Sequence, residues 1–316
     1  MKYFLIFISL LAFLHAAKIE LPVAHFVSSG GVLDIVVAKN TLYSATDASC
    51  VDIFDMQTRK KTKQIKVDKI TDFMGDVIDS KVYAVDVFED KILILSQAEE
   101  GFRRVHLSSG GKLELLIPHA KKLLIAKAKF LDANTLLLAL LGNEIISYDI
   151  KNKKQNYKVS VSQSKFSNFA LSEDKKQVVV ADESGDLKIY KTKNGAFIKT
   201  LQGQNLDNVF AVDYKNGVIA TAGQDRRVVI YNTKSGSAYY KTAPFLIYGV
   251  GLSPSAKLAA YSSDENNNVS VFNTDTQSLL GVFGGNKMTL SKILFLSENE
   301  FLVASDDTAI NVYKIK

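Results

Sequence analysis

The 316-residue sequence has one cysteine, no tryptophan, four histidines and four prolines. A single Cys excludes a disulfide framework, a Cys-based zinc cluster and an iron–sulfur site, and the few His point away from metal chemistry. Several catalytic signatures are absent: G-x-S-x-G, H-E-x-x-H, C-x-x-C, C-x-x-C-H and G-x-x-x-x-G-K-[ST]. The nearest phosphate-loop lookalike, Gly281-Val282-Phe283-Gly284-Gly285-Asn286-Lys287, has Asn286 where the second Gly must stand, and reads as an outer strand with its turn. What is there, 47% hydrophobic and 23% charged residues with 18 Gly, belongs to a folded chain rather than a collagen-like, disordered or polytopic membrane one. The net charge of +6 favours anionic surfaces but is too small for a nucleic-acid footprint, so no nucleic-acid partner is expected.

Residues 1–17 read as an address. Lys2 precedes an apolar stretch from Tyr3 to Leu14, and the small pair Ala16-Ala17 precedes polar Lys18. That order is a secretory signal peptide, and its apolar run is shorter than the ~20 residues a membrane span requires. Cleavage after Ala16 or Ala17, delivery to the periplasm and a mature chain without a membrane span are expected, with residues 18–316 as one domain. In an oxidising compartment the lone Cys50 has no intramolecular partner. With nothing basic flanking it, it reads as a small residue in or near a strand.

Beyond the leader no window sustains helical spacing, while short β-rich runs are broken by Gly, Asn, Asp and Ser. An aromatic ends one such run in each of several copies: Phe54, Tyr148, Tyr190, Tyr231, Phe272 and Tyr313. The last five lie 42, 41, 41 and 41 residues apart, and the longer gap after Phe54 leaves room for one degenerate copy with His106 in the aromatic's place. Seven units of about 41 residues nearly fill the mature chain, which predicts an all-β, seven-bladed propeller. Each unit reads as four strands. In the fifth these are residues 209–213, 218–222, 227–231 and 238–242, with Gly236 supplying the positive φ of the outer hairpin. The last copy stops at Lys316 without an outer strand, and residues 21–27 stand before the first copy without a blade. Pairing the two closes the ring and removes open edges.

The turns Ala222-Gly223-Gln224-Asp225-Arg226 and Ala304-Ser305-Asp306-Asp307-Thr308 place Asp225 and Asp307 six residues before their aromatics. In this the chain resembles the WD40 family over about residues 20 to 316. The resemblance implies structural roles for both aspartates and a propeller that works by binding proteins. No Trp occupies an anchor and no Gly-His dipeptide precedes an inner strand, so the buried His-Asp-Ser/Thr-Trp network of typical members is missing. As an exported, lysine-rich, WD40-like chain of this size, it is also similar to the L-type accessory proteins encoded with periplasmic nitrate reductases. That likeness implies a non-catalytic helper in maturation or electron delivery, partnered by the reductase or its cytochrome, and the chain is expected to be a monomer.

Aligning the copies puts Lys81, Lys127, Asn168, Asn208, Tyr248 and Lys292 near the starts of the inner strands, around one mouth of the central channel. They form the candidate partner-binding mouth, with no catalytic, cofactor or metal residues assigned. His25, His106 and His119 fall apart in the copies, and acidic pairs such as Asp306-Asp307 read as turn caps. The basic stretch of residues 59–66 reads as a solvated edge of the first blade. An exported lactonase-like hydrolase or oxidoreductase with a ligand in the channel is the alternative. A quinoprotein is not, because its docking repeat needs Trp.

Overall fold

A computed structural model describes residues 18–316; the expected leader, residues 1–17, lies outside the described residues. Seven antiparallel sheets follow one another around a channel, so the protein is a seven-bladed β-propeller. From the channel outward, blade 1 comprises Val32–Ala38, Thr41–Thr46, Cys50–Asp55 and Lys61–Lys66, and blade 2 Val82–Phe88, Lys91–Gln97, Arg103–Ser109 and Lys112–Ile117. Blades 3 to 6 begin with the inner strands Ile125–Asp132, Phe166–Leu171, Ala211–Lys215 and Val250–Leu252, each followed by three strands in order. Blade 7 takes three strands, Leu290–Phe295, Glu300–Ser305 and Ala309–Lys314, from the C-terminal end of the chain.

Its fourth strand is Ala24–Val27, which pairs antiparallel with Ala309–Lys314 in the register Ala24↔Val312 to Val27↔Ala309. Closure by the N-terminal segment therefore holds. Phe26 is 1% exposed and packs edge-on against Phe54 at 5.6 Å, joining blade 7 to blade 1. One pairing was not visible in the sequence. Ile19–Glu20 adds as a fifth, parallel strand to the outer strand of blade 6, opposite Val282 and Phe283.

Sheets buried on both faces need a core at every seam, and seven buried apolar clusters supply one per neighbouring pair of blades. Each third-strand aromatic faces the preceding blade: Phe54 in the seam of blades 7 and 1, Tyr148 in that of blades 2 and 3, Tyr190, Tyr231, Phe272 and Tyr313 in the next four. The residue after the aromatic explains part of the repeat. Asp55, Asp149, Asn232 and Asn273 each accept, through Oδ1, backbone N–H bonds from the outer hairpin turn. Those turns require left-handed backbone, met by Gly236 at φ +78° and, where Gly is missing, by Gln277 at φ +61°.

His106 takes the aromatic's side of blade 2, facing blade 1. Its strand neighbour Arg104 donates to the backbone oxygen of Asp68, just past blade 1. With Arg104, His106 and Ser108 buried there, this seam has the smallest apolar cluster, six residues against sixteen between blades 2 and 3. The inner strand of blade 5 begins at Ala211 rather than at the expected 209. The carbonyl of Asn208 is taken by Gln224 N at 2.9 Å, which pins the chain before the strand can start.

Candidate functional site

The inner strands of blades 1, 2, 3, 4 and 7 share an irregularity near their start. A bulge skips Leu33, Tyr83, Ala126, Ser167 and Ser291, so that Asp34, Ala84, Lys127, Asn168 and Lys292 resume the pairing. Such bulges re-aim side chains. All ten of these residues line one cavity of about 180 Å³ at the channel mouth, with Phe210 and Tyr248 completing the rim. A second chamber of about 180 Å³ follows, lined by Asp86, Lys129, Lys175 and Asp213. Lys127 and Lys292 line both chambers and form the waist between them.

Neighbouring inner strands are not paired backbone to backbone, so their channel-side polar groups need other partners. Side chains provide them blade to blade. Asp34 accepts from Val85 N, Asp86 from Phe130 N and Asp213 from Leu252 N. In the other direction Lys129 Nζ donates to Val85 O, Lys127 Nζ to Phe169 O, Asn168 Nδ2 to Phe210 O and Ser291 Oγ to Val32 O. Part of this polar lining is therefore the mortar of the ring.

Its charges are unequally compensated. Lys129 lies 3.6 Å from Asp34 and 3.4 Å from Asp86. Burial works against its charge, but the two carboxylates outweigh it and hold this lysine above the ordinary range. Burial would raise Asp34, but Lys129, Lys292 and Lys127 together hold it below the usual carboxylate range. Lys127 differs. Its ammonium group donates to neutral oxygens only, Asn168 Oδ1 at 2.6 Å and Phe169 O at 2.8 Å. Burial first, then repulsion from Lys292 and Lys129, holds it well below the usual lysine range.

Of the six residues expected at the mouth, Lys127, Asn168, Tyr248 and Lys292 line the cavity. Lys81 and Asn208 do not. Lys81 is exposed before the blade 2 strand, and Asn208 accepts a hydrogen bond from Ser167 Oγ at 2.5 Å. The connections into blades 2 and 5 enter differently, so Ala84 and Ala211 stand where the repeat expected polar groups. Asp34, Asp86, Lys129 and Asp213 went unrecognised; the Lys-x-Lys spacing inside the strand Ile125–Asp132 was the available signal.

Asp225 and Asp307 act in turns on the mouth face. Asp225 accepts from Arg227 N and reaches Leu206 N at 2.8 Å, tying its turn to the connection from blade 4, while Asp307 caps Thr308 N at 2.7 Å. His25, His106 and His119 sit on blade 7, on blade 2 and in the connection after blade 2, and no three metal-ligating side chains converge among the described residues. Cys50 is buried at the start of its strand, and burial pushes its thiol up. Within the basic stretch, Lys61 is tied to buried Asp52 at 3.0 Å.

Each connection from an outer strand to the next inner strand lies on this same face, where the inner strands begin. Several bear exposed apolar side chains: Phe73 and Met74 at 98% and 75% exposure, then Leu124, Leu206, Phe245 and Met288. The first pair crowns a small hairpin, Ile70–Thr71 with Val77–Ile78, whose tip is held by Asp72 Oδ1 accepting from Met74 N and Asp76 N. Among the described residues no helix is long and apolar enough to cross a membrane. Compared with protein-family models and with curated proteins, the chain matches none.

Proposed function

We propose that this propeller is an exported, non-enzymatic scaffold that works as a monomer in the periplasm and docks a protein partner with its mouth face. The observation that carries this reading is the circle of exposed apolar side chains, led by Phe73 and Met74, around a lysine-bearing channel entrance. Exposed apolar groups gathered on one polar-rimmed surface mark interaction sites, and a hairpin stiffened by its own Asx turn loses little entropy when it docks. The WD40-like turns at Asp225 and Asp307 support the same mode of action. The likeness to accessory proteins of periplasmic nitrate reduction makes the reductase or its cytochrome the partner, with a role in maturation or electron delivery.

The test has two steps. Deleting the gene should lower periplasmic nitrate reductase activity or abundance; unchanged values for both remove the nitrate assignment. Re-expressing the chain with Phe73→Asp and Met74→Asp should fail to restore what the wild type restores, at equal protein level. Full restoration by the double variant removes the mouth face as the docking surface.

A further inference from the structure

The mouth chamber has donor capacity beyond what the blade-to-blade bonds use. Lys127 spends two of its three N–H donors on neutral oxygens and has no carboxylate within salt-bridge distance among the described residues. Among the described residues the one carboxylate that Lys292 approaches is Asp34, Oδ1 at 3.9 Å, and that carboxylate is already shared with Lys129. Two lysine amino groups thus border one small cavity with donors to spare, and the one carboxylate on its lining, Asp34, is shared between Lys292 and Lys129, so a further anion would complete the set. The seryl hydroxyls nearby are committed: Ser167 Oγ donates to Asn208 Oδ1 and Ser291 Oγ to Val32 O, which leaves the Tyr83 and Tyr248 hydroxyls as neutral groups on the lining. The charge-bearing donors of the chamber are therefore the two lysines.

The rim has a different character. Phe210 and Tyr248 lie stacked, ring centroids 5.4 Å apart at an interplanar angle of 8°, and both border the same cavity. At about 180 Å³ the chamber has room for one ring-sized molecule, a single benzene needing ~150 Å³. Lysine amino groups and a stacked aromatic pair on one lining select charge and apolar shape together.

We infer that the channel mouth is a binding site for a small organic acid, its carboxylate held between Lys127 and Lys292 and its flat apolar body against Phe210 and Tyr248. The site stands independently of the docking face, since neither Phe73 nor Met74 lines the chamber. It adds ligand binding, with no bond-making step, to a protein otherwise read as a scaffold.

Benzoate is the probe, followed by saturation-transfer NMR and calorimetry on the mature protein. Benzoate should bind with a Kd on the order of 1 mM or tighter. Benzamide, which keeps the ring and loses the charge, and acetate, which keeps the charge and loses the ring, should each bind at least about tenfold more weakly. Lys127→Met and Lys292→Met should each weaken benzoate about tenfold, while Lys193→Met, on an exposed outer turn, leaves it unchanged. Lys127 also holds Asn168 and Phe169, so its variant is scored only if its melting matches the wild type. Lys292→Met and the three-ligand comparison on the unaltered protein decide without it. The inference falls if benzoate does not bind, if benzamide or acetate binds as tightly, or if Lys292→Met leaves benzoate binding intact.

Discussion

Replacing His106 by Phe tests the seam between blades 1 and 2 where its chemistry departs from the other six. His106 is 5% exposed, and its Nε2 has no hydrogen-bond partner among the described residues. Burial, then the neighbouring Arg104 guanidinium, pushes the imidazole down to about 4. In the unfolded chain it titrates near 6.5, so between about pH 6.5 and about pH 4 the unfolded state holds the extra proton. Stability from this residue is therefore complete above about pH 6.5, is lost as pH falls through that window, and levels off below about pH 4. At ~1.4 kcal/mol per pH unit the whole loss is ~3 kcal/mol, of which ~2 kcal/mol has gone by about pH 5. His106→Phe abolishes that titration, restores the aromatic used in the other blades and removes a buried nitrogen that costs about 1–3 kcal/mol unpaired. Urea unfolding followed by circular dichroism at about pH 7.5 and about pH 5 separates the effects, because the carboxylates titrate alike in both proteins. Wild type should lose ~2 kcal/mol more than the variant on acidification. Equal losses would refute the placement of a neutral imidazole in this seam.

Closure of the ring gives the next expectation: Phe26→Ala should cost about 3–5 kcal/mol, and removal of residues 21–27 should cost more, both read as lowered melting temperature. An unaltered melt of the truncated chain would contradict the pairing of Ala24–Val27 with blade 7. Gly223→Ala should destabilise by about 1–3 kcal/mol although its φ is ordinary. An added Cβ there would stand 2.2 Å from the carbonyl oxygen of Asn208 and 3.1 Å from Val209 Cα, and both belong to backbone that cannot swing aside. A normal melt for that variant would mean that the connection into blade 5 yields freely.

The fold was legible because it repeats. Aromatics 41 or 42 residues apart gave the blade count, and two defects at opposite ends of the chain gave the closure. Even the degenerate second blade was found through His106, which the spacing placed and the packing accounts for. Features that occur once had no second copy to announce them. The two-residue strand Ile19–Glu20 is too short to show periodicity, and the hairpin that carries Phe73 is an insertion outside the repeat. The site was half legible. Aligning strand starts found Lys127, Asn168 and Lys292 because the connections into their blades bring them to one register, and it missed Asp34, Asp86 and Asp213 because an acidic residue in a strand looks like ordinary alternation. Their distinguishing trait, bonding to the next inner strand, involves contacts across blades that no local pattern encodes.

The double seating of the N-terminal segment has a consequence for biogenesis. Glu20 lies beside Phe283, and Ala24 opposite Val312, so these early-made residues wait for partners made much later in the chain. Pairings this distant in sequence form late and slowly. Blades 1 to 5 can collapse as they are made, but the wheel stays open-ended until the final strand arrives.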